Sequence, residues 1–313
     1  MKKYIAMMRL DHWIKQLFIV PGCVAAVFLS SAVFSKELIL KIIFGFFATC
    51  FIASANYVIN EWLDAEFDKF HPTKKYRSVV TEDVKGKTVW FLWIVLSAAG
   101  FAVSYLVNVP FLLMSVWLWV MGIVYNVKPI RTKDIPFLDV LSESVNNAIR
   151  LLMGWFIVSD TTVPPSSLIF GYWMTGSFLM ATKRFAEYRM INDESMAGKY
   201  RKSFKYYSER SLLISAFFYA MCSVFFVGVF LIKYRTELVL IIPVFIGLFC
   251  YYLNLSFLND SSVQKPEKLF REKGLMVYCF VLIVLFIVLI FVDIPVLSKL
   301  TSNELIALKK GIA

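Results

Sequence analysis

Histidine, paired cysteine and charge are all scarce in this 313-residue sequence, of which only 18% is charged. Its two histidines, His12 and His71, effectively exclude a multi-histidine metal site or a pair of haem ligands. The five cysteines all lie within apolar runs, and none pairs with another at metal-binding spacing: Cys23, Cys50, Cys222, Cys250 and Cys279. They are typical of small buried hydrophobic residues rather than of a disulfide framework.

Long apolar runs dominate the rest of the sequence. It is 59% hydrophobic and 17% aromatic, with a mean hydropathy of +0.69, which is too apolar for a soluble domain. A membrane-spanning helix needs roughly 20 mostly apolar residues. We therefore predict about nine spans, at 17–34, 38–60, 88–108, 111–127, 137–158, 166–188, 211–232, 237–257 and 275–297. The predicted fold is all-α, a polytopic membrane helical bundle that forms one integral-membrane domain over residues 1–313.

The basic residues occur in alternate loops. The net charge is +11, but no basic helix stands apart from the spans, so we expect no nucleic-acid partner. The bases concentrate at the N-terminus and in loops 61–87, 128–135, 189–210 and 258–274. By the positive-inside rule these segments are cytoplasmic. The pattern predicts a multi-pass protein of the inner (plasma) membrane, with its polar clusters on the cytoplasmic side of the bilayer.

Acidic and amide side chains follow the second predicted span at regular spacing. Asn56, Asn60, Asp64 and Asp68, which we call the acidic ladder, recur every four residues. On a helix they lie along one slowly drifting face. Oxygen donors one turn apart can hold Mg²⁺, which takes its other ligands from water and substrate phosphates. The plainer interpretation is that a helix leaving the membrane carries charge because it has reached water.

Basic side chains lie near the acidic ladder and in two other segments. His71, Lys74 and Arg77 follow the ladder directly, and such groups grip phosphate oxygens. Lys15 precedes the first span, where it either anchors the helix at the interface or contacts a substrate. A short basic turn that begins with Tyr125 and Lys128 joins the fourth and fifth spans. Acids followed by bases at a membrane surface are what a diphosphate-using membrane enzyme needs.

The fifth predicted span carries one polar stripe. Its members are Asp139, Glu143, Asn147 and Arg150. Ionisable groups within a span are costly and usually face the bundle interior or a water-filled cavity. Mutual neutralisation of Glu143 and Arg150 within the helix is the structural alternative.

The sixth predicted span ends in Lys183, Arg184 and Glu187. Lys183 and Glu187 share a helix face, with Arg184 beside them. The pattern alone indicates only a membrane exit. The basic loop 199–210 that follows is similar to a lid that closes on an anionic substrate, although a solvated loop explains most of its members.

The acidic ladder also resembles a motif of a known family. Asn60-Glu61-x-x-Asp64-x-x-x-Asp68 is similar to the Asn-Asp-x-x-Asp-x-x-x-Asp motif of the UbiA superfamily of intramembrane prenyltransferases. That superfamily is a bundle of nine transmembrane helices with a cytoplasmic-side active site, so the resemblance implies this UbiA-like fold. Glu61 stands where the superfamily usually has aspartate.

The resemblance is closer to one branch, the decaprenyl-phosphate phosphoribosyltransferases. The segments that carry it are His71-Pro72-Thr73-Lys74, Lys183-Arg184-Phe185-Ala186-Glu187 and Arg9-x-x-x-Trp13-x-Lys15. Aromatic prenyltransferases have a second aspartate-rich motif where this chain has Lys183. A basic residue there argues against a second Mg²⁺ site and for a phosphate contact. Gln16 and Ser78 depart from the branch, which usually has asparagine and proline at these positions.

The resemblance implies Mg²⁺-dependent transfer of 5-phosphoribose from 5-phosphoribosyl 1-diphosphate to a polyprenyl phosphate. Asn60, Asp64 and Asp68 are the implied metal ligands and catalytic residues, with Mg²⁺ as the cofactor. The implied substrate-binding residues are Lys15, Glu61, His71, Lys74, Arg77, Tyr125, Lys128, Asp139, Asn147, Arg150, Lys183, Arg184 and Glu187.

Individual roles within this set stay open. The basic members are expected to hold the 5-phosphate, the diphosphate or the lipid phosphate, in no assigned order. Glu187 is expected to orient Lys183, and Asp139 with Arg150 to shape a deeper part of the pocket. The expected partners are the two substrates and the bilayer, and a homo-oligomeric assembly is left open.

Two other functions compete with this one. Prenyl transfer from a prenyl diphosphate to an aromatic acceptor keeps the fold, but it predicts two aspartate-rich motifs, and this sequence has one. A transporter or lipid-binding membrane protein without catalysis is the second alternative. Its charges should be spread along broken helices at the membrane midplane, whereas here they gather near one surface.

Overall fold

A computed structural model describes residues 2–30, 32, 34–258, 261–264, 269 and 271–300, and these residues form helices and connecting turns without a strand. The α-helices are α1 Lys2–Met7, α2 Val20–Ser30, α3 Lys36–Asp68, α4 Ser78–Thr81, α5 Gly86–Val107, α6 Val109–Asn126, α7 Leu138–Val158, α8 Ser166–Ile191, α9 Glu194–Tyr200, α10 Glu209–Tyr234, α11 Ile242–Ser256, α12 Lys273–Phe291 and α13 Pro295–Leu300. Short 3₁₀ helices cover Leu10–Ile19, Lys74–Tyr76, Thr132–Asp134, Lys202–Lys205, Thr236–Ile241 and Ser262–Gln264. The predicted all-α class is therefore confirmed.

Seven helical segments of the described chain are long and apolar enough to cross a membrane. They are Lys2–Ser30, Lys36–Asp68, Gly86–Val107, Val109–Asn126, Glu209–Tyr234, Thr236–Ser256 and Lys273–Phe291. The predicted spans 137–158 and 166–188 form α7 and α8, which carry charged and amide side chains among their apolar residues. A multi-pass membrane protein is thus supported, and the count of nine stays a prediction. The predicted span 17–34 and loop 258–274 lie partly outside the described residues.

The helix that carries the acidic ladder is longer than a bilayer is thick. Its 33 residues rise about 50 Å, whereas the hydrocarbon core measures about 30 Å, so part of α3 must project into water. Ser35 begins the helix by accepting a hydrogen bond from the Leu38 N–H at 3.1 Å. Asp68 is its last residue, so the ladder lies on continuous helix, as its spacing predicts.

Small residues allow α2 and α7 to cross closely. A Cβ atom on Gly154 of α7 would lie 1.9 Å from the carbonyl oxygen of Ile19, and one on Gly22 would lie 2.0 Å from that of Leu151. Backbones in contact at small residues are typical of helix packing in membranes, where van der Waals contact replaces the hydrophobic effect between helices. This crossing fixes the segment before α2 against α7.

Two apolar cores pack the helices of the bundle together. One is built mainly from α2, α3, α6 and α7, and the other from α8, α10, α11 and α12. Apolar side chains such as Phe280, Val284 and Phe291 remain exposed on α12, as expected for a surface that faces lipid. The cores leave the polar ends of α3, α7 and α8 to meet one another.

The basic segments gather at one end of the bundle. Arg9 from the N-terminal segment contacts Glu61 at 3.1 Å, and Lys74 after α3 contacts Glu187 on α8 at 2.6 Å. Gln264 donates to the Ala186 carbonyl oxygen at 3.1 Å, which brings the last loop to the same end. The predicted clustering of the polar segments at one end is therefore seen, while the cytoplasmic identity of that end stays a prediction.

Candidate active site

The carboxylates of the acidic ladder are held by bases from neighbouring segments. Asp64 Oδ1 accepts hydrogen bonds from Arg131 Nη2 at 2.9 Å and from Lys133 Nζ. Asp68 Oδ2 accepts one from Arg77 Nη1 at 2.8 Å. Each acid of the ladder thus meets positive charge, and two cations converge on a single oxygen of Asp64.

Asn60 of the ladder and the neighbouring Glu61 bind side chains from other segments. Asn60 donates to the side-chain oxygen of Asn126 at the end of α6. Glu61 is buried and pairs with Arg9 at 3.1 Å and with Arg77 at 3.8 Å. Glu61, which replaces the usual aspartate, therefore binds two basic segments to α3 through its pairs with Arg9 and Arg77.

The turn between α6 and α7 supplies two bases that sequence reasoning did not select. Arg131 adopts a left-handed backbone with φ of 32°, and its Nη1 donates to the Asn126 carbonyl oxygen at 2.9 Å. Such a conformation is uncommon for a non-glycine residue, and residues held in it cluster at functional sites. Burial lowers the pKa of Lys133 to about 8, although the Asp64 carboxylate opposes that shift. Lys128, the base of this turn that was selected, is exposed.

The acidic ladder offers oxygen ligands that suit Mg²⁺, but too few to bind the ion without water and substrate. Asn60, Asp64 and Asp68 offer amide and carboxylate oxygens on consecutive turns of α3, which is the hard-ligand chemistry that Mg²⁺ prefers. The described residues contain no group of three acids, histidines or cysteines that would hold a metal by themselves. The arrangement therefore fits an ion that takes most of its ligands from water and substrate phosphates, and the roles of these residues stay predictions.

His71 orders the turn that follows the acidic ladder. Its Nδ1 accepts hydrogen bonds from the backbone N–H groups of Thr73 and Lys74, at 3.2 and 3.1 Å. The proton of the neutral ring is therefore on Nε2, which lies 3.5 Å from Glu187 Oε1. Burial lowers the pKa of His71, so a neutral ring in this tautomer is consistent with its surroundings.

Glu187 joins three segments of the chain. Its Oε1 accepts a hydrogen bond from Lys74 Nζ at 2.6 Å and one from the Tyr200 hydroxyl at 3.1 Å. The Lys74 ammonium also lies over the Tyr200 ring, 4.7 Å from its centroid. Burial lowers the pKa of Lys74, and the Glu187 carboxylate opposes that shift. The expected orientation of Lys183 by Glu187 stays a prediction, and the lysine that the carboxylate binds by a hydrogen bond is Lys74.

Arg184 is fully buried at the centre of an ionic network. Its guanidinium donates to Glu143 at 2.5 Å, to Asp139 at 3.3 Å and to Glu187 at 3.3 Å. It also donates to the Tyr125 hydroxyl at 3.0 Å. With its donors directed at three carboxylates, Arg184 positions acids from α7 and α8, and Tyr125 and Asp139 belong to the same network.

The segment after α9 covers this network. The Tyr207 hydroxyl donates to Asp139 Oδ1 at 2.6 Å, and Ser203 donates to Asp139 Oδ2 at 3.3 Å. Arg201 Nη1 donates to the Tyr125 hydroxyl at 3.2 Å, and its Nε is buried without a hydrogen-bond partner among the described residues. The lid-like role predicted for loop 199–210 is consistent with these contacts. Sequence reasoning selected none of these residues, because their basic and aromatic pattern is also that of a solvated loop.

Lys183 differs from the other bases of the site. It is half-buried, and in the part of the chain that the structure describes it forms no hydrogen bond or ion pair within the usual distances. The acids that face it, Glu143 and Glu187, are bound to Arg184 and Lys74. Its ammonium is therefore available to an anion that comes from outside the protein.

The remaining predicted residues lie deeper in the bundle. Asn147 faces Gly176 of α8, where a Cβ atom would come within 2.5 Å of its amide nitrogen. Arg150 donates to Gln16 Oε1 at 2.8 Å, and Lys15 lies 3.1 Å from His12. The alternative in which Arg150 neutralises Glu143 is wrong, because Glu143 pairs with Arg184.

Together, the fold and this site define a polytopic α-helical membrane protein with a dense ionic pocket at one end of its bundle. The sequence model of the UbiA prenyltransferase family matches residues 18–290. The chain therefore belongs to that family, which confirms the predicted superfamily and the predicted class, a membrane transferase.

Individual relatives support the same assignment. The chain is 30% identical over 217 residues to decaprenyl-phosphate phosphoribosyltransferase of Mycolicibacterium smegmatis, which covers 66% of this chain and 63% of that one. It is 26% identical over 208 residues to the enzyme of the same name in Corynebacterium glutamicum, covering 65% of this chain and 59% of that one. The chain thus spans somewhat less than two thirds of the length of these relatives. The predicted closeness to that branch is confirmed.

A solved structure shows the same fold. A UbiA homologue from Archaeoglobus fulgidus bound to GPP and Mg²⁺ matches with a TM-score of 0.67 at 20% identity, covering 90% of this chain and 99% of that one. The same homologue is also known bound to Cd²⁺. Members of this family therefore bind divalent metal ions.

Proposed function

We propose that the protein transfers a 5-phosphoribosyl group from 5-phosphoribosyl 1-diphosphate to a polyprenyl phosphate, releasing diphosphate. The observation that carries this proposal is the presence of a base, and not a second acidic motif, near the end of α8. Where aromatic prenyltransferases have their second acidic motif, this chain has Lys183, with no acid bound to it among the described residues, and a Glu187 that is bound to Lys74. This arrangement offers a phosphate-binding cation in place of a second metal site. The names of the two bacterial relatives favour the same reaction.

The residues around the donor divide into two groups. Asp64 and Asp68, with Asn60 beside them, face the leaving diphosphate, and a bound Mg²⁺ would neutralise the charge that develops there. Arg131, Lys133 and Arg77 now contact these acids at one oxygen each. When the donor binds, its phosphate oxygens compete for the same cations, so these bases move from carboxylate to diphosphate.

The transfer itself needs few groups from the protein. The bond from ribose C1 to the diphosphate oxygen breaks, and positive charge develops on the ribose ring as in other glycosyl transfers. An anionic oxygen of the lipid phosphate forms the new bond to C1, and diphosphate leaves with the bonding electrons. No proton has to be moved, which is consistent with a neutral His71 that serves to order a turn. The network around Arg184 keeps the acids away from the attacking phosphate.

The covering segment suits a water-soluble donor. Tyr200, the last residue of α9, and Arg201, which follows it, both reach the site, and Arg201 keeps one buried donor without a partner among the described residues. We place the donor beneath this segment, with Lys183 and Arg201 as contacts for its phosphates. Exclusion of water there protects the reactive ribose from hydrolysis.

Prenyl transfer from a prenyl diphosphate to an aromatic acceptor is the second candidate. The observation that favours it is the fold, since the matching homologue from Archaeoglobus fulgidus was solved with GPP and Mg²⁺. The acidic ladder alone is compatible with either donor, because both donors leave as diphosphate.

One experiment separates the two candidates. Membranes containing the protein are incubated with Mg²⁺ and ribose-labelled 5-phosphoribosyl 1-diphosphate, with and without a polyprenyl phosphate. We expect label in the organic phase only when both substrates and Mg²⁺ are present. If label stays in the aqueous phase while a prenyl diphosphate reacts with an aromatic acid, the second candidate is correct.

A further inference from the structure

Arg150 is a charged residue well inside the bundle. It lies twelve residues after α7 begins at Leu138, which is roughly 18 Å along the helix axis. Its Nη1 donates to the Asn146 carbonyl oxygen at 3.1 Å, so the side chain points back along the helix toward the end of the bundle that holds the acidic ladder. The residue is half-buried rather than fully enclosed by the bundle.

Gln16 fixes the direction of this guanidinium. Its amide oxygen accepts a hydrogen bond from Arg150 Nε at 2.8 Å, and its amide nitrogen donates to the His12 carbonyl oxygen at 3.3 Å. Gln16 is fully buried, so neither group can turn toward solvent. With Nε and Nη1 occupied by neutral acceptors, Nη2 has no hydrogen-bond partner among the described residues.

Arg150 also lacks a counter-ion in the part of the chain that the structure describes. Glu143 is the closest carboxylate on its own helix, and it binds Arg184 at 2.5 Å and the Tyr125 hydroxyl at 2.7 Å. The other ionisable groups facing Arg150 are Tyr57, Tyr172 and Cys50, whose side chains are ordinarily neutral near pH 7: a phenol or a thiol gives no negative charge there.

An unpaired guanidinium inside a membrane bundle is costly, and such residues usually serve an anion pathway or a substrate. An arginine cannot relieve this cost by losing its proton. A ligand that carries negative charge would supply the missing counter-ion. A ligand that reaches this depth needs an apolar part that is compatible with the surrounding helices, in addition to its anionic group.

We propose that Arg150 binds the phosphate group of the lipid acceptor, with Gln16 as the positioning residue. This inference rests on the proposed function, and it assigns one of the bases to one of the phosphates. The donor is soluble in water and is fully charged, so its phosphates belong with the bases at the polar end of the bundle. The acceptor carries its phosphate on an apolar chain, and only such a ligand can place an anion beside Arg150.

Binding of prenyl phosphates to the full chain tests this assignment independently of turnover. The protein is placed in lipid nanodiscs, and farnesyl monophosphate, farnesol and inorganic phosphate are titrated with tryptophan fluorescence as the signal. We expect Arg150→Met to weaken farnesyl monophosphate binding by about tenfold or more, since hydrogen bonds to a charged group are lost. Binding of farnesol should not change, and Arg150→Lys should give an intermediate loss.

The control variant is Arg189→Met, whose arginine is half-exposed on α8 and pairs with the exposed Glu209 at 3.3 Å. It should bind all three probes as the wild type does. Equal farnesyl monophosphate affinity in Arg150→Met and the wild type would overturn the inference, as would competition by inorganic phosphate at the affinity of the lipid. Arg150→Lys keeps the charge and serves as the deciding variant if Arg150→Met does not fold.

Failure of the proposed function gives a different result. In that case 5-phosphoribosyl 1-diphosphate binds neither the wild type nor Arg150→Lys, whereas farnesyl monophosphate still loses affinity in Arg150→Met. If the donor binds the wild type and the variant weakens donor binding alone, the proposed function survives and the assignment of Arg150 is wrong.

Discussion

The ammonium of Lys74 lies 2.6 Å from Oε1 of Glu187, and this contact joins the turn after the acidic ladder to α8. The two residues are 113 positions apart in sequence. Tyr200, the last residue of α9, donates to the same carboxylate oxygen at 3.1 Å, so the start of the covering segment, which follows Tyr200 directly, is held by the same carboxylate. Glu187 therefore couples the base-bearing turn, the helix end and the covering segment.

Glu187→Gln should loosen this junction. The amide keeps the shape of the side chain but removes the charge that attracts Lys74 and Arg184, so we expect a loss of about 1–3 kcal/mol in the free energy of unfolding. The KM for the phosphoribosyl donor should rise more than kcat falls, because the covering segment is less well held. Glu209→Gln, at an exposed pair with Arg189, is the matched control. Equal melting temperatures and equal KM values in both variants would show that the junction has no such role.

Lys183→Met should separate binding from stability. Because Lys183 forms no ion pair with the described residues, its removal should change the free energy of unfolding by no more than about 0.5 kcal/mol. Affinity for the phosphate-bearing substrates should fall by about tenfold, as expected when a charged hydrogen bond is lost. Thermal unfolding in detergent and binding of labelled donor measure the two effects. If the variant keeps the wild-type affinity, Lys183 does not bind the substrate and its charge only reflects membrane topology.

The neighbouring residue should behave in the opposite way. Arg184→Met leaves Asp139, Glu143 and Glu187 without the guanidinium that they share. Breaking a buried ion pair from one side costs about 3–5 kcal/mol, so we expect much less folded protein after purification. Size-exclusion profiles and melting temperatures of Lys183→Met and Arg184→Met, prepared side by side, provide the comparison. A stable Arg184→Met protein would contradict the network described here.

The contrast between these neighbours shows what the sequence could and could not predict. Helical spacing predicted that the acidic ladder lies on one helix, because a four-residue repeat has a fixed meaning on a helix. No periodicity applies to the turn after α6, where Arg131 has a left-handed backbone, Lys133 bonds to Asp64 on α3 and Lys128 is exposed.

The partner that a charged side chain binds was harder to predict than the place of that side chain on its helix. Glu143 and Arg150 lie two turns apart on one helix, yet Glu143 pairs with Arg184 from α8 and Arg150 bonds to Gln16. Side chains on neighbouring helices can compete for a partner, and spacing along one helix carries no information about them. For the same reason the sequence could propose Lys183 and Arg184 as bases of the site but could not distinguish their roles.

Asp64→Asn tests the role of the acidic ladder. The substitution keeps a side-chain oxygen for Arg131 and Lys133, so the protein should stay folded, while it removes a charged ligand for Mg²⁺. We expect the Mg²⁺-dependent transfer rate to fall by orders of magnitude. Glu66→Gln, on an exposed position of the same helix, is the control and should keep its activity. Transfer at the wild-type rate in Asp64→Asn would refute the metal role.

The crossing of α2 and α7 gives a prediction about the scaffold that holds these residues. A Cβ atom on Gly154 would lie 1.9 Å from the Ile19 carbonyl oxygen, a backbone atom that cannot move aside without separating the helices. Gly154→Ala should therefore destabilise the protein by about 1–3 kcal/mol or more.

Gly228→Ala is the control for this scaffold prediction, since the nearest atom to its added Cβ is a flexible Ile242 methyl group at 3.6 Å. That variant should melt within about a degree of the wild type or slightly above it, because alanine suits a helix better than glycine. Melting temperatures in one detergent decide the matter. If both variants melt alike, α2 does not pack on α7 at this glycine, and the segment that carries Gln16 would not be held against Arg150.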